Sequence, residues 1–126
     1  MKKILFLIIA LTSSALLFSQ NSYKVFCDLK GTDNVSGKNV SVTIVLDKQI
    51  EMNELVSANG EKLKITQMVE AMNFMSKLWW KFESCYAIFG SGRTVHHWII
   101  SKEVKEEKEI KSGLITEEQY RNQKQH

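Results

Sequence analysis

The chain is predicted to fold as an α+β domain. A four-stranded antiparallel sheet, in the order strand-strand-helix-strand-strand, carries one helix packed on one face and is followed by a short C-terminal helix. Three observations carry this prediction. Apolar and polar residues alternate over Tyr23–Leu29, Val40–Asp47, Trp80–Phe89 and Arg93–Lys102, the period of half-buried strands. Between the second and third of these, Met68, Val69, Met72, Met75, Leu78 and Trp79 recur at steps of three and four, the period of an amphipathic helix. The strands of each pair are joined by turn-rich stretches, Gly31–Asn39 and Gly90–Gly92, so each pair reads as a hairpin.

Taken in order, Tyr23, Val25, Cys27 and Leu29 share one face of the first strand, opposite Lys24, Asp28 and Lys30, with Phe26 breaking the pattern. Val40, Val42, Ile44 and Leu46 line one face of the second. Leu55-Val56-Ser57 and Lys62–Ile65 flank Asn59-Gly60, a dipeptide that tolerates the positive φ of a tight turn, and predict a short hairpin or an extended excursion. Thr66 is the expected helix N-cap. The methionine stripe suits either a core or an adaptable groove; on the central helix of a small domain it is assigned to the core. Trp80, Phe82, Tyr86 and Ile88 are expected on one face of the third strand. The fourth is apolar on both faces, with Val95, His97 and Ile99 opposite His96, Trp98 and Ile100, and is expected inside the sheet. Val42, Ile44, Met72, Met75, Phe82 and Trp98 should then share one core.

Beyond Lys102 the chain changes character. Lys102–Glu109 is a mixed charge run, the signature of solvated chain. Ile110, Leu114, Ile115 and Tyr120 form an apolar association segment too small to fold alone; it needs the sheet or a second copy of the chain. The expected organisation is a domain over residues 20–102 and a tail over 103–126, with cleavage after Lys102 leaving the domain folded. Thr116 and Gln119 fit a capping box opening the last helix.

Lys2 and Lys3 precede an apolar run from Ile4 to Ala10 that continues to Phe18. This is the layout of a secretory signal peptide, residues 1–19, cut after Ser19. The run is shorter than the roughly 20 residues of a spanning helix and is broken by hydroxyls. Cys27 lies too far along to be a lipidated cysteine, so no membrane anchor is expected after cleavage. The expected location is secreted or periplasmic. Without Lys2 and Lys3, the formal charge falls from +3 to about +1, which gives no basic surplus for nucleic acid. In an oxidising compartment Cys27 and Cys85 are either one disulfide or two free thiols.

Two stretches carry resemblances. Met72-Asn73-Phe74-Met75-Ser76-Lys77-Leu78-Trp79-Trp80-Lys81-Phe82, with the opening strand Tyr23-Lys24-Val25, resembles a family of small domains of unknown function (domain of unknown function 4177). That family pairs a Leu-Asn helix with a Gly-Trp-Glu strand start. Here Trp79 stands at the glycine and Lys81 at the glutamate, so the helix end must be built differently. The resemblance implies a fold over Tyr23–Lys102 and no activity. Gly113-Leu114-Ile115-Thr116-Glu117-Glu118-Gln119-Tyr120 is similar to the short C-terminal domain known as SHOCT, which implies a helical appendage that mediates association.

No catalytic, metal or cofactor set emerges. Adjacent strand residues such as His96 and His97 point to opposite faces, and a Cys85–His nucleophilic pair lacks a group to orient the histidine. Trp80, Tyr86, Arg93 and His97 are the candidate binding surface, with sugar stacking open beside plain core packing. The expected function is an exported, non-enzymatic binding module for a protein or glycan of the cell envelope, with self-association open. The alternative is a small secreted hydrolase or an inhibitor of one.

Overall fold

A computed structural model describes residues 21–126; the expected signal peptide lies outside them. The chain runs β1 (Tyr23–Asp33), β2 (Val40–Val45), β3 (Gln49–Glu51), a 3-10 turn at Met52–Glu54, β4 (Leu55–Val56), α1 (Met68–Lys77), β5 (Lys81–Gly90), β6 (Arg93–Val104), β7 (Ile115–Thr116) and α2 (Glu117–Lys124). The α+β class and the antiparallel sheet are as expected. The strand count is not: the main sheet has five strands in the order β3-β2-β1-β6-β5, and β4 and β7 form a second, two-stranded sheet. The sequence concealed β3 because Gln49-Ile50-Glu51 is too short to show a period.

Register sorts the side chains by face, since paired antiparallel residues point the same way. Leu29 lies opposite Ile44 on one side and Trp98 on the other, and Cys27 lies opposite Ile100. These residues face the helix. Asp28, Ile99, Lys30 and His97 occupy the far face. The core gathers Leu29, Val42, Ile44, Met52, Leu55, Met68, Ala71, Met75, Trp80 and Ile100, with Met72, Leu78 and Trp98 packed at its margin. Gly31 makes room for the helix, because a Cβ there would collide with the Met68 side chain. Phe82 is the exception among the expected core residues. It touches Trp98 edge-on with ring centroids 5.6 Å apart, yet it is 49% exposed.

The helix ends carry a second set of differences. Gln67, not Thr66, is the N-cap. The Glu70 carboxylate reaches back to accept from the Gln67 amide at 3.1 Å and the Thr66 amide at 2.8 Å. Backbone donors hold the Glu70 carboxyl below its usual range. At the other end the Trp79 amide donates to the Ser76 carbonyl and the Trp80 amide to the Met75 carbonyl, the paired bonds of a Schellman closure. Trp79 takes the left-handed conformation there, φ 72°, where glycine is the usual residue.

Packing does not stop at Lys102. Val104 and Leu114 are buried, and Ile110 packs against the core. β7 pairs with β4, Leu55 opposite Thr116 and Val56 opposite Ile115. Tyr120 lies over Gly60, at the expected Asn-Gly turn. The Lys102 ammonium donates to the Glu109 carbonyl at 2.7 Å, and Lys62 pairs with Glu117 at 3.0 Å. The association segment thus uses its own chain as its partner surface. Thr116 and Gln119 do form the capping box, with bonds of 3.1 and 3.2 Å.

Candidate functional site

The β5–β6 hairpin turns through Ser91 (φ 54°) and Gly92 (φ 75°). Two successive left-handed residues suit the twist of the strands they join. β6 is an interior strand, whereas β5 is one of the sheet's two edges. All ten residues of β5 are exposed. A bulge between Phe82 and Ser84 shifts its register and splits the single face expected from the sequence. Phe82 stays on the helix side, opposite Ile100, while Tyr86 and Ile88 turn to the far face, opposite His97 and Val95. Phe89, on the helix side with Ala87, is 76% exposed. Natural edge strands are blunted by lysine, proline, bulges or brevity. Here Lys81, Glu83 and the bulge guard the start, and nothing charged stands between Ser84 and Gly90.

Two histidine–aspartate pairs tie β6 to β1, one on each face. His97 Nδ1 lies 2.7 Å from Asp28 Oδ2, and His96 Nε2 lies 3.1 Å from Asp33 Oδ1. The Tyr86 ring stacks on His97 with centroids 4.6 Å apart and planes 8° from parallel. Asp28 therefore orients His97, but Cys85 faces the opposite way, beside Trp98, so the two cannot act as nucleophile and base. Among the described residues no three His, Cys, Asp or Glu side chains are placed to hold a metal ion, and no helix is long and apolar enough to cross a membrane.

Both cysteines are free thiols. β6 runs between them, and two strand spacings of about 4.8 Å exceed the roughly 7 Å limit on the Cα separation of a disulfide. Burial, reinforced by the Asp28 charge, pushes the Cys27 thiol up to about 12, which keeps it protonated and inert.

Of the four residues expected to form a binding surface, the structure brings together Tyr86 and His97. Arg93 sits at the hairpin end opposite Gly90. Trp80 is not on the surface: it is 1% exposed, with the Lys102 ammonium 5.9 Å from its ring centroid. The Schellman closure explains this, since it turns the chain so that Trp80 points inward and Trp79 outward. Ile88 on the far face and Phe89 on the helix side are exposed on the same strand and were not among the expected residues. Their signal was the uncharged run Ser84–Gly90, which is indistinguishable by composition from a covered strand.

Comparisons of the chain with protein-family models, with curated proteins and with solved structures find no match.

Proposed function

We propose that this protein is an exported, non-enzymatic interaction module whose working surface is β5. An extended segment of an envelope protein would add to that strand as a sixth member of the sheet, main-chain bonds giving affinity and side-chain pockets giving selectivity. One observation carries the reading: a ten-residue edge strand, exposed on both faces and uncharged over its second half. Lys2, Lys3 and the apolar run to Phe18 support export. Kinship with the domain of unknown function 4177 family is supported at one point, where Trp79 takes the conformation of the glycine it replaces. The SHOCT-like reading of the tail is supported by its capping box.

The features available to a hydrolase are the two aspartate-bound histidines, of which His97, held by Asp28, makes the shorter contact. Capture from envelope extracts on the immobilised mature chain, run beside a broad hydrolase screen, separates the two. The interaction reading expects retained components that are lost with Phe89→Lys. Turnover that disappears in His97→Ala would overturn it.

A further inference from the structure

We infer that the cleft beside Trp79 is a carbohydrate site that takes a sugar ring of a neutral oligosaccharide. The cleft has a volume of about 300 Å³ and is lined by Trp79, Lys24, Lys81, Glu83, Ser101 and Glu103.

Trp79 is 80% exposed, so its ring contributes nothing to the core. It is also held in a left-handed backbone conformation that an L side chain adopts at a cost and glycine adopts freely. The helix end therefore gains nothing from a tryptophan, and what the ring offers is a flat apolar platform beside the cleft. Phe26 supplies a second exposed ring on the same face of the sheet, directly opposite Ser101.

The polar lining is organised before any ligand arrives. The Glu83 carboxylate accepts from the Ser101 hydroxyl and from the Lys24 ammonium, the latter at 3.3 Å, and these bonds hold its carboxyl below the usual range. The three residues stand on β5, β6 and β1, adjacent strands of one sheet, so the network is positioned by rigid backbone rather than by loops. Two lysines and two glutamates line the cleft, and their formal charges cancel. Such a lining selects neither an anion nor a cation. It suits a ligand that both donates and accepts hydrogen bonds around its rim while presenting an apolar face to an aromatic ring. A pyranose ring has this chemistry, with hydroxyls at its periphery and C–H bonds on its faces.

The inference does not rest on the strand-addition reading, because Ser84–Gly90 takes no part in the cleft. The experiment titrates the mature chain with cellohexaose, maltohexaose and chitohexaose, followed by tryptophan emission and by heat. At least one saccharide is expected to bind and to perturb emission. Trp79→Gly should abolish that signal while leaving the protein folded, since glycine suits the helix end. Glu83→Gln should weaken binding about tenfold, the usual scale for a lost charge-assisted hydrogen bond. Phe89→Lys should bind saccharide as the parent does, which keeps a failure here distinct from a failure of the β5 reading. The inference is overturned when none of the three binds below about 10 mM, when Trp79→Gly binds like the parent, or when short peptides rather than saccharides give the Trp79-dependent signal.

Discussion

The two edges of the main sheet are built to opposite rules. β3 is three residues long, passes directly into a 3-10 turn, and has its far-face residue Glu51 occupied by a 2.9 Å bond from the Thr43 hydroxyl. β5 is ten residues long and exposed throughout. β3 closes the sheet against β2 and β5 closes it against β6, and the two differ in length and in guarding. A short edge that ends in a turn offers few free main-chain groups, whereas a long one with apolar side chains on both faces is a template for another strand. On the proposed reading, the open second half of β5, at the opposite end of the sheet from the guarded β3, is the working surface.

Substitutions should separate the covered interior beside the short edge from the open edge. The largest effect belongs to the covered interior. Ile44 is fully buried beside the short edge, and Ile44→Asp buries an unpaired charge, so it should cost about 5 kcal/mol in chemical denaturation. Cutting after Lys102 comes next. The sequence suggested a separable tail, but the truncation removes buried Val104 and Leu114 and strips β7 from β4. At about 1.5–3 kcal/mol for each buried side chain, the loss should be about 3–6 kcal/mol, read as a lowered melting temperature.

Trp79→Gly should raise stability by about 1 kcal/mol, through relief of the left-handed conformation. Phe89→Lys on the open edge should change stability by less than about 0.5 kcal/mol while removing partner capture. A Phe89→Lys variant as unstable as Ile44→Asp would show that β5 is covered after all.

The smallest effect is one of pH. Glu109 accepts from the Glu106 and Lys105 amides, and Glu117 from Lys62 and Arg121; these bonds hold both carboxyls below their usual range. Because the folded values are depressed, the stabilisation is complete above the ordinary carboxylate range and fades as pH falls through the lowered values. Both groups hold the last segment in place, so amides of β7 and α2 should lose protection in acid before those of β1 and β2. Simultaneous loss would contradict this.

How much was legible in the sequence follows from where periodicity acts. β1, β2, β6 and α1 each run long enough for an alternating or helical pattern to register, and they were found. β3, β4 and β7 are two or three residues long, and pairing partners rather than composition define them. The bulge at Phe82–Ser84 reversed the face of every later β5 residue, because the side-chain period is two and one inserted residue inverts it. Trp80 and Trp79 were exchanged for a similar reason. The helical stripe predicted Trp79 inward, but the left-handed closure that sends Trp80 into the core depends on backbone geometry at a residue type that seldom adopts it. The pairs His97–Asp28 and His96–Asp33 join residues more than sixty positions apart, a separation at which a lone sequence carries no signal.

Amide hydrogen exchange along β5 tests the central claim most directly. In the isolated chain, alternate amides between Ser84 and Gly90 should exchange almost as fast as in unfolded chain, while those bonded to β6 are slow. On binding the captured partner, the fast set should become slow. Uniform protection in the isolated chain, or a fast set that stays fast in the complex, would contradict the account.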